Sequence, residues 1–227
     1  MPAHPLVNWP IVRALGRQRY LALSLLAFLC VAPFTVHYPA TGRLFAYGVL
    51  ALVFITGPLA VARTRLTLAF AVFLALLSLL PGVVSTLGQS DVAYRFSLVA
   101  GIVFFSFLAG LITRELLVDD SAVDSETIWA AVNVYVLVGL CFAFWYAALA
   151  LFEPDLFIGK FMDQSLRGQL IGFIYFSFVT LTTLGYGDIT PNATGVATLT
   201  YLEPLIGQLY LAIMIARLVG LYIARRD

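Results

Sequence analysis

The stretch Thr180-Leu181-Thr182-Thr183-Leu184-Gly185-Tyr186-Gly187-Asp188 decides the fold. Its two glycines alternate with larger residues, and glycine reaches left-handed backbone conformations that cost most other residues free energy. A segment that alternates in this way can turn successive carbonyl oxygens toward one side. The stretch therefore predicts a short strand whose backbone oxygens form a row of ligands, with the Thr183 hydroxyl as a further oxygen at one end.

The chain around this stretch has the composition of a membrane protein. Of its 227 residues, 62% are hydrophobic and 11% are charged, and the mean hydropathy is +0.98. A soluble domain exposes more polar surface than this chain can supply, whereas lipid covers apolar faces. The net charge of +1 argues against a nucleic-acid partner. Metal-binding and nucleophile motifs such as CxxC and GxSxG do not occur, so the sequence does not favour an enzyme.

Polar residues divide the chain into six long apolar stretches, each close to the roughly 20 residues that a helix needs to cross a bilayer. The predicted spans are Tyr20–Val36, Leu44–Ala62, Leu66–Val84, Val92–Thr113, Thr127–Phe152 and Ala197–Ala224. The quoted stretch falls between the last two. Non-helical backbone at membrane depth is tolerated only where protein or a water-filled cavity covers it. We therefore expect a re-entrant loop. Its short helix is predicted at Gly168–Leu181, with Asp163 or Ser165 near the start.

Basic residues predict the orientation, because they concentrate on the cytosolic side. Placing both termini in the cytosol gives that side eight arginines and the outer side four basic residues. The cytosolic set is Arg13, Arg17, Arg19, Arg63, Arg65, Arg114, Arg225 and Arg226, and the outer set is Arg43, Arg95, Lys160 and Arg167. Residues 1–19 are predicted to be a cytosolic segment before a retained first span rather than a cleaved signal peptide.

An acidic cluster precedes the fifth span and consists of Asp119, Asp120, Asp124 and Glu126. Ser, Asp and Asn side chains accept hydrogen bonds from the unpaired N–H groups at helix starts. We expect Ser121, Asp124 or Ser125 to cap the fifth helix in this way. A regulatory cation site is the alternative interpretation of the cluster.

The quoted stretch resembles the signature of the tetrameric potassium channel superfamily. The order of outer helix, short pore helix, filter and inner helix over Thr127–Ala224 resembles that family as well. The segment from Leu202 to Gly220 is similar to the inner helix of small bacterial channel proteins that carry four extra N-terminal spans.

The resemblance implies an all-α membrane protein with six transmembrane helices, a re-entrant pore helix and a selectivity filter. One pore loop per chain implies a homotetramer, so the expected partners are three further copies and membrane lipids. Fast potassium passage requires oxygens that replace the hydration shell of the ion. K⁺ is expected at Thr183, Leu184, Gly185 and Tyr186, with Gly187 completing the filter, as a permeant ion rather than a cofactor.

Five residues are predicted to support the filter: Thr182, Asp188, Tyr175, Phe176 and Glu203. Tyr186 is expected to point away from the pore axis and brace the strand against the pore helix. Tyr175 and Phe176 either form an aromatic cuff around the filter or pack as ordinary core residues. Asp188 needs a partner other than a glutamate, because Val179 stands where one relative carries that residue.

The inner helix carries two further predictions. Glu203 is either functional, as ionisable residues at membrane depth often are, or a structural hydrogen-bond partner of the pore helix. Gly207 lies twenty residues beyond the last filter glycine, where the family often has a hinge; close packing is the alternative. Gln208, Leu211, Ile215 and Val219 share one helical face and are expected to line the inner cavity.

The predicted layout is a cytosolic segment at 1–19, a four-helix membrane region at 20–118 and a pore domain at 119–227.

The fourth span has only Arg95 and Arg114 at its ends, so we do not expect steep voltage gating. We also expect no cytosolic ligand-binding domain after Asp227. The function implied is a potassium-selective channel in the cell membrane. A potassium transporter subunit, a nonselective cation channel and a non-conducting regulatory subunit are the alternatives.

Overall fold

The computed structural model describes residues 17–33, 41–88, 90–118, 123–159 and 166–224. Within these ranges the chain forms seven α-helices, a 3₁₀ turn at Pro154–Leu156 and two short strands. The helices are α1 Gln18–Val31, α2 Thr41–Ala60, α3 Arg65–Gly88, α4 Asp91–Val118, α5 Ser125–Ala150, α6 Leu166–Leu181 and α7 Thr194–Ile223. Several residues of the sequence predictions lie outside the described ranges: Arg13, Asp119, Asp120, Ser121, Lys160, Asp163, Ser165, Arg225 and Arg226.

Four helices are long and apolar enough to cross a bilayer, whose core takes about 20 residues. These segments are Arg65–Ser85, Asp91–Val118, Ser125–Ala150 and Thr194–Ile223. The chain is therefore a multi-pass, mainly helical membrane protein. The first two predicted spans overlap α1 and α2, whose apolar segments within the described residues are shorter, Gln18–Val31 and Gly48–Ala60. The six-span count stays a prediction.

The chain is mostly helical, which agrees with the predicted all-α membrane class, and its described residues also form a short two-stranded antiparallel ladder. Strand β1 is Phe157–Gly159 and β2 is Ile189–Pro191, paired as Phe157 with Pro191, Ile158 with Thr190 and Gly159 with Ile189. β-Branched residues such as these isoleucines favour extended backbone. The Asn192 N–H extends the ladder by donating to the Leu156 carbonyl at 2.8 Å. The ladder ties the segment before α6 to the segment after the quoted stretch.

Helix packing places α5 at the centre of the chain. It contacts α1, α4, α6 and α7, and α4 also packs on α3. Two polar contacts reinforce the packing between the N-terminal helices and the C-terminal ones. The Asn133 amide donates to the backbone carbonyl of Gln18 at 2.8 Å, and the Arg217 guanidinium donates to the Leu116 carbonyl at 2.8 Å.

Helix α7 has little cover within one chain. Only 11% of its most apolar segment is buried, and the side chains of Leu209 and Ile213 are 52% and 58% exposed. An apolar face of this extent is covered in the membrane by lipid or by another polypeptide.

One of the three predicted capping residues, Asp124, caps the start of α5. Asp124 is the N-cap, and its Oδ1 accepts a hydrogen bond from the Thr127 N–H at 2.8 Å. The Thr127 hydroxyl accepts in return from the Asp124 N–H, which completes a capping box. Ser125 is the first helical residue instead. The other described acidic residue of the cluster, Glu126, pairs with Arg19 at 3.8 Å.

Replacing Asp124 with alanine is expected to destabilise α5 by about 0.5–2 kcal/mol, because the cap is lost. The hydrogen bond from the Thr127 N–H lowers the pKa of Asp124 below its ordinary value of 3.8. A lowered folded-state pKa makes the ionised cap stabilising above pH 3.8, and this contribution falls as the pH drops through the folded-state pKa.

Thermal unfolding of the purified protein between neutral and acidic pH would measure both effects. Asp124→Asn is the matched control, because asparagine also caps helices but does not titrate. If the control lost as much stability at neutral pH as Asp124→Ala, the capping role would be wrong.

Candidate functional site

The quoted stretch leaves the C-terminal end of α6 through a set of backbone hydrogen bonds. The N–H groups of Leu184 and Gly185 both donate to the Val179 carbonyl, at 2.9 and 3.2 Å. The Thr183 N–H donates to the Thr180 carbonyl at 2.9 Å. Carbonyls in the last turn of a helix have no partner within the helix. Thr183, Leu184 and Gly185 therefore cap the end of α6, and this fixes where the non-helical part of the stretch begins.

Positive φ angles alternate along the stretch, as the glycines predict. Gly185 has φ +55° and Gly187 has φ +75°. A Cβ at either glycine would meet nothing within 4 Å, so the requirement for glycine is conformational rather than steric. Thr183 is also left-handed, with φ +62°, which is a strained conformation for a β-branched residue. The sequence did not indicate this strain at Thr183.

Residues 182–187 are exposed in the single chain. The side chains of Leu184 and Tyr186 are 54% and 66% exposed. The expected bracing of Tyr186 against its own pore helix is therefore not seen within one chain. Two hydroxyls of this segment donate to backbone carbonyls, Thr182 to Phe178 at 2.7 Å and Thr183 to Thr182 at 2.6 Å.

The partner of Asp188 is Tyr175, whose hydroxyl donates to Oδ2 at 2.7 Å. This bond joins the middle of α6 to the residue that follows Gly187. The neighbouring Phe176 has a different environment. It is buried between Tyr146 and Phe157, with ring centroids 5.2 and 5.7 Å apart. Of the two predicted cuff residues, Phe176 packs as a core aromatic and Tyr175 holds the end of the stretch.

Glu203 is fully buried on α7 and is hydrogen-bonded to two other helices. The Tyr146 hydroxyl of α5 donates to its Oε2 at 2.8 Å. Its Oε1 is hydrogen-bonded to the Ser177 hydroxyl of α6. The structural interpretation of Glu203, a hydrogen bond to the pore helix, is thus observed.

Gly207 lies one turn further along the same face of α7 and packs against the end of α6. A Cβ at this position would lie 2.7 Å from Leu181 Cδ1 and 3.1 Å from the Leu181 carbonyl oxygen. Close packing therefore explains the glycine in this conformation, in which α7 is one continuous helix. The hinge stays a prediction. The proposed cavity face is turned away from this contact: Gln208, Ile215 and Val219 are exposed and Leu211 is half-buried.

Three residues at this site were missed in the sequence. Tyr146 and Ser177 are polar residues inside apolar helices, and this was the signal that could have identified them. The third is Gly159 of β1, which has φ +131° and approaches the Asp188 carbonyl so closely that a Cβ would lie 2.1 Å from its oxygen. A single glycine in a polar connection gives no comparable signal.

Comparison with known protein families gives a match in the same region of the chain. Residues 134–223 match a family model described as an ion channel. The match runs from α5 to the end of α7 and so includes the short helix, the glycine-containing stretch and the buried glutamate. No curated protein and no solved structure matches the chain.

Proposed function

We propose that this chain, whose residues 134–223 match a family model described as an ion channel, is a pore-loop channel and a subunit of a potassium-selective channel. The observation that carries the proposal is the alternation of left-handed Gly185 and Gly187 with larger residues after a capped pore helix. Carbonyl oxygens in such a strand can replace the hydration shell of K⁺.

The proposed ion sites are formed by Thr183, Leu184, Gly185 and Tyr186, and Gly187 closes the filter at its outer end. Helix α6 ends at Leu181, directly before these residues. Its C-terminal end carries a partial negative charge, which favours a cation in the cavity below the filter. The chemistry requires no cofactor, because the permeant ion is the only ligand.

We propose that three further copies of the chain complete the pore. Support comes from what a single chain leaves uncovered: Leu184, Tyr186 and most of α7. A four-fold arrangement would place four filters around one axis and bury these faces between subunits. The remaining apolar surface would contact membrane lipids.

The proposed layout keeps six spans, with residues 1–19 and the C-terminus in the cytosol. Residues 20–118 would form a four-helix membrane region and residues 119–227 the pore domain. The support is the greater number of arginines on the proposed cytosolic side. This orientation places the filter on the outer side of a cell membrane.

The filter residues and the single pore loop favour selective potassium conduction over the alternative functions. Nonselective relatives typically lose the filter threonine or tyrosine, and Thr183 and Tyr186 are both present. Transporter subunits usually keep one filter glycine per loop and carry four loops per chain, whereas this chain has both glycines in a single loop. A non-conducting regulatory subunit has the same filter sequence and is distinguished by flux alone.

Two measurements on the purified wild-type protein test the proposal. Flux into liposomes should show passage of K⁺ with little passage of Na⁺, and a mass measurement in nanodiscs should give four chains per particle. Equal fluxes of the two ions would indicate a nonselective channel, and no flux a regulatory subunit. A folded monomer or dimer would contradict the pore model.

The proposed channel is expected to respond weakly to voltage. Each charge that crosses the membrane field contributes only about 2.3 kcal/mol per 100 mV, so steep gating needs several charges. Helix α4 has Arg95 and Arg114, both exposed and close to its two ends. Neutralising both with glutamine should leave the slope of the conductance–voltage curve almost unchanged, as should neutralising Arg65 at the start of α3. A steep wild-type curve that flattens in the double variant would contradict this expectation.

A further inference from the structure

Glu203 lies within a series of buried oxygen–oxygen contacts, and each of these contacts needs one proton to be a hydrogen bond. Three oxygen–oxygen contacts link α5, α6 and α7 in series. Tyr146 Oη contacts Glu203 Oε2 at 2.8 Å, Glu203 Oε1 contacts Ser177 Oγ, and Ser177 Oγ contacts the Gly139 carbonyl at 2.7 Å. Two oxygens at these separations attract each other only when a proton lies between them. The three contacts therefore need three protons.

Only two protons are available if Glu203 is ionised. Tyrosine and serine hydroxyls supply one each, whereas a backbone carbonyl and a carboxylate only accept. Ser177 could then donate to Gly139 or to Glu203 but not to both. One of its two contacts would be left as a pair of facing lone pairs. A protonated Glu203 supplies the missing third proton.

Among the residues that the structure describes, no basic side chain forms an ion pair with Glu203. Its side chain and those of Tyr146 and Ser177 are each 0% exposed. The ion pairs formed within the described ranges are Arg19–Glu126 and Arg63–Glu115, and neither includes Glu203. The titratable groups that face it are both tyrosines of α5, Tyr146 in contact and Tyr135 at longer range. An unpaired charge buried at membrane depth is costly.

We propose that Glu203 is a neutral carboxylic acid that donates its proton to Ser177. The protons then run in one direction: Tyr146 donates to Glu203, Glu203 donates to Ser177, and Ser177 donates to the carbonyl of Gly139. This chain makes Glu203 a positioning residue, because it fixes α6 against α5 and α7 one turn before the filter begins. The protonation state of Glu203 does not depend on the proposed channel function. The role of Glu203 in holding the filter does rest on that proposed function.

Infrared spectroscopy of the lipid-reconstituted protein tests the protonation state directly. The spectrum at neutral pH should contain the C=O stretch of a buried protonated carboxylic acid, and E203Q should lack it. The matched control is E115Q, because Glu115 accepts two hydrogen bonds from the Arg63 guanidinium, each of 2.8 Å, and is not part of the Glu203 contacts. This variant should keep the band. A wild-type spectrum without the band, or one in which E203Q keeps it, would overturn the proposal.

The positioning role is tested by rescue with the amide. Glutamine can accept from Tyr146 and donate to Ser177, so E203Q should keep the wild-type ratio of K⁺ to Na⁺ flux. E203A removes the acceptor of the buried Tyr146 hydroxyl and the link between α7 and Ser177. Such a loss costs roughly a factor of ten in an equilibrium, and the flux ratio should fall about tenfold. Wild-type selectivity in E203A would overturn the positioning role. A protein that shows the band and passes no K⁺ would contradict the proposed function while supporting a neutral Glu203.

Discussion

Replacing Gly187 with alanine is expected to remove the preference for K⁺ over Na⁺ while leaving the protein folded. Gly187 has φ +75°, and a left-handed conformation costs an L-residue with a Cβ about 1–2 kcal/mol. The alanine would relax toward negative φ and rotate the neighbouring carbonyl out of the row. Each 1.4 kcal/mol corresponds to roughly tenfold in an equilibrium. In the proposed tetramer, four altered copies per pore would therefore be expected to lower the flux ratio by at least about tenfold.

The surroundings of Gly187 make this a local test. A Cβ there meets no atom of its own chain within 4 Å, so the substitution introduces no clash within the subunit. Gly195→Ala is the matched control, because Gly195 also has open space around it but lies in the first turn of α7. Measured in the same liposome flux assay, the control should resemble wild type. If Gly187→Ala also kept the wild-type flux ratio, the filter assignment would be wrong.

Replacing Gly159 with alanine is expected to be the most destabilising single change near the filter. Its Cβ would lie 2.1 Å from the Asp188 carbonyl oxygen and 2.9 Å from the Ile189 Cα, and both are backbone atoms. The φ of +131° is itself costly for alanine. Overpacking typically costs about 1–3 kcal/mol, and a disfavoured backbone conformation about as much again. The strands would separate, and the segment after Gly187 would lose its fixed position.

Thermal unfolding and the flux ratio measure the two consequences of Gly159→Ala. The melting temperature should fall by several degrees, and selectivity should fall with it. Gly110→Ala in α4 is the control, because it has open space around it and alanine favours helix. A Gly159→Ala protein as stable and as selective as wild type would show that the β1–β2 ladder does not support the filter.

The sequence predicted those parts of the site that depend on local backbone chemistry. Gly185 and Gly187 could be assigned because left-handed φ angles are a property of the residue itself. The helices could be placed because each carries its own long apolar run. Among the N-cap candidates Asp124 was included, since capping involves residues only three apart. In each of these cases the decisive information lies within a few neighbouring residues.

The missed parts depend on contacts between distant residues. Glu203 is bonded to Tyr146 and Ser177, which lie 57 and 26 positions away. Helix periodicity indicates which face a residue occupies but not which helix packs against that face. Each strand of the ladder is three residues long, too short to show a period. Asp188 was known to need a partner, but Tyr175 could be identified only once α6 was placed beside the filter.

In the proposed tetramer, the uncovered apolar face of α7 would make the stability of each chain depend on subunit concentration. A single chain buries only 11% of its most apolar α7 segment, so packing contacts with neighbouring subunits would add to its stability. In the proposed tetramer the apparent stability would then rise with the number of subunits per area of membrane, as for any obligate oligomer. Dilution into excess lipid would lower the unfolding temperature without any change in sequence.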